Sequence, residues 1–141
     1  MKKIGIIFFL IMFTFGFSSL QAEGIPVNTK APDFALTDTH GTKHSLAGYK
    51  GKFVVLEWTN PGCPFVRKHY GSGNMQALQK KYTGLGVLWL SVNSSAQGKE
   101  GCFENDPAAT AWLAEQKASP TSLIRDEEGK LGRAVYRYTV Q

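Results

Sequence analysis

Phe53-Val54-Val55-Leu56-Glu57-Trp58-Thr59-Asn60-Pro61-Gly62-Cys63-Pro64-Phe65-Val66-Arg67-Lys68-His69-Tyr70 is the stretch whose reading decides the fold. Residues 53–58 are an apolar run broken by one acid, the pattern of a buried central strand. Thr59 to Gly62 end that run. Pro64 suits the first position of a helix, where its missing N–H would find no partner anyway. Cys63 therefore falls where a strand runs into a helix. A thiol placed there faces unpaired backbone N–H groups and the positive end of the helix dipole, and both favour the nucleophilic thiolate. Arg67, one turn on and on the same face, either adds a cation in the same sense or is simply solvated.

Working towards the N-terminus, Asp33-Phe34-Ala35-Leu36 and Lys43-His44-Ser45-Leu46 flank a polar turn containing Gly41, which reads as a β-hairpin. Towards the C-terminus, the helix from Pro64 should stop near Tyr70, before Gly71-Ser72-Gly73. Ser72 or Asn74 then caps a second helix, in which Met75, Leu78 and Tyr82 recur at helical spacing. Residues 87–92 read as a second buried strand, and 93–106 as a long polar loop holding Cys102. A helix over 107–117 follows, with Asp106 as its cap, then a short strand over 122–125 and a last helix from Leu131 to Tyr138. Strands alternating with helices at this spacing give βαβ units, hence an α/β domain on a mainly parallel sheet.

The first residues stand apart. Lys2 and Lys3 precede an apolar stretch from Ile4 to Phe17, and small residues lead to a cut after Ala22, the order of a secretory signal. The apolar run is short for a bilayer, which favours a cleaved signal at 1–22 over a membrane anchor. Residues 23–141 then form one small domain outside the cytoplasm, periplasmic or extracellular. Lys2 and Lys3 carry two of the net +5 charges, which leaves +3 for the domain. Its basic residues are scattered among acids, without a stripe that would suit nucleic acid. His40, His44 and His69 show no metal-ligand spacing, so no metal site is expected.

Ala31-Pro32-Asp33-Phe34-Ala35-Leu36-Thr37-Asp38, followed by Gly41, Leu46, Gly51-Lys52 and Val54-Val55-Leu56, and then Pro61-Gly62-Cys63-Pro64, occur in an ordered series. In that series the chain resembles the redoxin branch of the thioredoxin-fold superfamily, the alkyl hydroperoxide reductase/thiol-specific antioxidant (peroxiredoxin-like) proteins and their exported thioredoxin-like relatives. The resemblance runs from residue 31 to about 136. It implies a thioredoxin-like fold, no cofactor, and a cysteine that attacks hydroperoxides and is restored by an external thiol reductant.

The chain departs from that family at three places. Asn60 stands where peroxiredoxins carry a Thr or Ser that orients the peroxide, and its amide can still donate a hydrogen bond. Val66 stands where Cys-x-x-Cys oxidoreductases carry their second cysteine. The family's next section, β-β-α with a cis-proline, has no counterpart before Gln141, so a C-terminally truncated domain is expected. Strand 53–58 would then keep one bare edge, open to homo-oligomer formation or to a partner strand.

Cys102 stands as resolving partner of Cys63, as half of a purely structural disulfide, or as a free surface thiol. Glu57 reads first as a partly solvated acid at a strand end, with a buried proton carrier as the alternative. Trp58, Trp89 and Trp112 read as core. The function expected is exported, thiol-based peroxide reduction. Thiol–disulfide exchange with a disulfide substrate is the alternative within that chemistry, and a non-catalytic remnant the alternative outside it.

Overall fold

The computed structural model describes residues 28–137; the stretch read as a signal, 1–22, lies outside them. The predicted hairpin is present as β1 (Ala35–Thr37) and β2 (Lys43–Ser45), paired antiparallel with Leu36 opposite His44. Gly41 takes φ 79° in its turn, a left-handed conformation that glycine adopts without strain. One turn of 3-10 helix (Ala47–Tyr49) leads to β3 (Val54–Trp58). Then come α1 (Pro64–Gly71), α2 (Asn74–Gly84), β4 (Leu88–Asn93), α3 (Asp106–Glu115), β5 (Ser122–Arg125) and α4 (Lys130–Arg137).

The main sheet is parallel in the order β3-β4-β5, with Val55 opposite Trp89 and Leu90 opposite Ser122. The central strand is therefore β4, buried along nearly its whole length. The expectation of a central strand at 53–58 is corrected among the described residues, where β3 has a neighbour on one side only and is half-buried. Trp58 is corrected with it. Its side chain is 42% exposed at the end of that edge strand, not in the core.

One face of the sheet packs Leu90, Val92 and Ile124 against Phe34 and Leu131, with Leu36, Val54 and Leu56 at the margin. The other sets Leu123 against Phe103, Ala109, Trp112 and Leu113. Each fully buried aliphatic side chain here contributes about 1.5–3 kcal/mol.

Two helix caps differ from expectation. Asn105 caps α3 by accepting the Ala108 N–H at 2.8 Å, because Asn105 is extended while Asp106 is already helical and pairs with Arg125. Gly73, not Ser72 or Asn74, precedes α2, since the reversal out of α1 needs φ 74° there.

An acid anchors each face, Glu57 half-buried on one and Asp38 buried on the other. On the helix-covered face, the Glu57 carboxylate accepts hydrogen bonds from Tyr70 Oη (2.8 Å), Gln79 Nε2 (3.0 Å), Trp89 Nε1 (2.6 Å) and Ser91 Oγ (3.0 Å). These four donors come from α1, α2 and β4. Glu57 is half-buried near the end of β3, and all four of these contacts come from neutral donors. Burial first, and the Glu57 charge second, push the Tyr70 phenol above its ordinary value and keep it a donor.

On the hairpin face, Asp38 Oδ2 accepts from His44 Nε2 and Ser122 Oγ, both at 2.8 Å, while Oδ1 accepts the N–H groups of His40 and Thr42. The other nitrogen of His44 meets Tyr49 Oη. Burial alone would raise the Asp38 pKa, but the hydrogen bonds from His44, Ser122 and the Thr42 and His40 backbone together hold it at about 2.

Replacing Glu57→Gln turns one acceptor oxygen into a donor facing donors, and should cost about 1–3 kcal/mol of stability. Chemical denaturation of both proteins measures it; an unchanged midpoint would show that the four contacts carry no weight. For Asp38 the folded value lies below the unfolded one, near 3.8. Its contribution, about 2 kcal/mol, is therefore complete above pH 4 and is lost as the pH falls towards 2. An acid titration followed by circular dichroism should show Asp38→Asn lacking that pH-dependent component.

Candidate active site

The C-terminal end of β3 releases the chain into the turn 59–63. Thr59 N–H still bonds to Val92 O (2.8 Å), and Cys63 N–H then closes the turn on Asn60 O (3.0 Å). Cys63 is the N-cap of α1, extended at φ −71° and ψ 125°, with Pro64 at the first helical position. Its side chain makes no capping hydrogen bond, and its carbonyl accepts the Arg67 N–H at 3.0 Å. Pro64 has no N–H to offer. The Phe65 and Val66 N–H groups have no protein acceptor among the described residues. Cys63 is half-buried and, like Cys102, a free thiol. Cys63 is thus a half-accessible free thiol at a helix start whose first turn leaves two backbone N–H groups without an acceptor among the described residues.

The remaining expected residues take different places. Asn60 is held within the turn. Its Oδ1 accepts the Gly62 N–H at 2.6 Å, and its Nδ2 donates to Ser95 Oγ (3.0 Å) and Glu100 O (3.2 Å). Arg67 is exposed and curls back, Nε donating to Pro61 O at 2.9 Å, which leaves its terminal nitrogens without an acceptor among the described residues. Glu57 is committed to its four donors and supports α1 through Tyr70.

Cys102 ends the loop that packs on this turn. Asn93 Nδ2 donates to both Thr59 O (3.0 Å) and Gly101 O (2.9 Å), so one side chain ties the turn to the loop. The approach is close. A Cβ on Gly101 would sit 1.7 Å from Asn60 Oδ1, and one on Gly62 would sit 2.8 Å from Glu100 Cγ. The Cys102 thiol itself contacts Phe103 O at 3.5 Å and opens into a cleft of about 250 Å³ lined by Lys99 and Glu104.

Phe65, beside Cys63, is 71% exposed. Trp58 Nε1 donates to Ser94 Oγ (3.2 Å), which donates to Asp126 Oδ2 (2.8 Å). Asp126 in turn accepts the Leu131 and Gly132 N–H groups at the start of α4. Sequence reasoning missed Ser94 and Asp126, because each lies at the end of a different strand and only the parallel register brings them together. No group of three or more His, Cys, Asp or Glu side chains able to hold a metal occurs among the described residues.

The AhpC/TSA family model matches residues 27–139. Peroxiredoxin Bcp of Bacillus subtilis is 28% identical over 114 residues, covering 78% of this chain and 63% of that protein. The thiol-disulfide oxidoreductase ResA of Geobacillus kaustophilus is 30% identical over 84 residues, covering 55% of this chain and 48% of that protein. The chain thus spans between about half and two thirds of the length of these relatives. The crystal structure of an uncharacterized conserved protein from Geobacillus kaustophilus superposes with a TM-score of 0.65 at 25% identity, over 80% of this chain and 58% of that one. With a match over most of its length, a thioredoxin-like fold and relatives that are thiol oxidoreductases, this chain belongs to the AhpC/TSA family.

Proposed function

We propose that this chain is an exported thiol oxidoreductase that reduces hydroperoxides through Cys63. The observation that carries the reading is the position of Cys63, at the N-cap of α1 with two unpaired amides beside it. In the step proposed, the Cys63 thiolate attacks the terminal oxygen of the hydroperoxide. The O–O bond breaks, the sulfur becomes a sulfenic acid, and the alkoxide takes a proton from water to leave as the alcohol. The Phe65 and Val66 N–H groups and the free end of Arg67 stabilise the departing oxygen. Asn60 acts by holding the turn, since both of its amide atoms are already engaged.

A second thiol then condenses with the sulfenic acid, forming a disulfide and releasing water. Cys102 is the internal candidate, supported by the docking of its loop on the Cys63 turn through Asn93, Asn60 and Gly101. An external dithiol reduces the disulfide and returns both sulfurs to thiols. Export rests on the signal-like order of residues 1–22. Thiol–disulfide exchange is the second reading, favoured by the exposed Phe65, two residues after Cys63, and the exposed Trp58 at the end of β3, which offer apolar surface to a polypeptide substrate.

Purified full-length protein given cumene hydroperoxide and dithiothreitol should consume peroxide. Cys63→Ser should lower the rate by at least about 100-fold. No consumption, together with reduction of insulin disulfides, would move the assignment to the second reading. Cys102→Ser should still form one equivalent of sulfenic acid per chain, trapped by dimedone, but should fail to form an intramolecular disulfide. Gly101→Ala, strained at φ 74° and driven into Asn60, should impair that disulfide while leaving dimedone labelling of Cys63 in place.

A further inference from the structure

Asn93 is the last residue of β4, the central strand, and is 1% exposed. Its backbone carbonyl accepts the Asp126 N–H at 2.7 Å, which pins it to the residue after β5. The whole carboxamide is engaged. Oδ1 accepts the Ser95 N–H at 3.3 Å, while Nδ2 donates to Thr59 O at 3.0 Å and to Gly101 O at 2.9 Å. The two N–H bonds of one amide diverge by about 120°, so these carbonyl oxygens are held roughly 5 Å apart.

Each carbonyl belongs to a segment that carries a cysteine. Gly101 O and the Cys102 N–H share one planar peptide unit. Asn93 holds the oxygen, and the N–H donates to Lys99 O at 3.1 Å. The preceding peptide is held too, since Glu100 O accepts from Asn60 Nδ2 at 3.2 Å. Two successive fixed carbonyls leave the Cys102 sulfur little freedom beyond χ1. On the other side Thr59 opens the turn in which the Cys63 N–H donates to Asn60 O, and the Cys63 carbonyl accepts the Arg67 N–H, both at 3.0 Å. Between these anchors the segments touch, Gly101 against Asn60 and Gly62 against Glu100. Asn60 crosses the seam from within the turn. Asn93 reaches both sides from the sheet.

We propose that Asn93 is a positioning residue for the second thiol step, an inference that rests on the reading of Cys102 as the thiol that condenses with the Cys63 sulfenic acid. In that step the Cys102 thiolate attacks the Cys63 sulfur and the S–S bond forms. Hydroxide leaves and takes a proton to become water. A disulfide needs its two Cα atoms within about 7 Å. Two backbones braced against each other by one buried amide lose less freedom in reaching that geometry than two loose loops would. Asn93 bonds to backbone groups and to neither thiol, so it acts on disulfide closure and not on the attack of Cys63 on peroxide.

In the full-length protein, Asn93→Asp keeps the shape of the side chain and sets oxygen where two N–H bonds were made. Given one equivalent of cumene hydroperoxide, this variant should form the Cys63 sulfenic acid at the wild-type rate, read with dimedone. It should close the disulfide about 10- to 100-fold more slowly. In glutathione redox buffers each tenfold loss of disulfide stability would raise the potential of the pair by about 30 mV. In a Cys102→Ser background, Asn93→Asp should alter sulfenic acid formation by less than about twofold. Slower sulfenic acid formation in both backgrounds would mark a merely structural side chain and overturn the proposal. So would an unchanged closure rate and potential.

The potential is read after oxidation by diamide, without peroxide, so a raised potential would support the role of Asn93 even in a protein that consumes no hydroperoxide. A wild-type protein that forms the sulfenic acid but no Cys63–Cys102 disulfide, even with diamide, would overturn the role and leave the peroxidase reading standing. Should the variant fail to fold, the wild-type protein decides by nuclear magnetic resonance. Its Asn93 side-chain amide protons should exchange slowly in both the dithiol and the disulfide forms, and free exchange in the dithiol form would overturn the proposal.

Discussion

A single carboxylate, half-buried and without a cation beside it, organises the helix-covered half of this domain. Glu57 takes its four hydrogen bonds from a phenol, an amide, an indole and a hydroxyl, and none of the ion pairs among the described residues involves it. Hydrogen bonds are directional, so each of the three contributing elements is fixed in position as well as in contact. α1 is one of them, and Cys63 is its cap. The orientation of the helix start, on which any stabilisation of the Cys63 sulfur relies, therefore traces back to a residue six positions earlier in the chain.

The opposite face uses the same physics with a different partner. Asp38 joins the hairpin to β5 through Ser122, and a bridge from Asp38 to Ile124 and the Thr39 N–H to Leu123 O (3.0 Å) continue the seam. The hairpin is thus held by a buried His–Asp pair at its root, with apolar cover from Leu36 and Leu46. Between these two acids lies a sheet of only three strands, and its central strand takes most of the burial.

What could be read in the sequence was local and periodic. The hairpin, the strands and the helices follow from alternation, helical spacing and the Gly and Pro breaks. The placing of Cys63 followed from the end of the apolar run at Trp58, the break through Gly62 and the helix start marked by Pro64. What escaped depended on distance. Ser122 meets Asp38 across 84 positions, and the Glu57 donors lie 13 to 34 positions away, so no local pattern announces either cluster. Trp58 was misread because its burial depends on which side of β3 is covered, a property of the assembled sheet. Asn105 was passed over because Asp106 is an equally good cap by chemistry, and only backbone conformation separates them.

The chain of contacts from Trp58 through Ser94 to Asp126 crosses the carboxyl ends of all three parallel strands and finishes on the first amides of α4. Of the other two indoles, Trp89 is buried and Trp112 half-buried, which leaves Trp58 the most exposed. The most solvent-sensitive part of the intrinsic emission of this protein thus arises five residues before Cys63. Events in that turn would be visible optically without any attached dye.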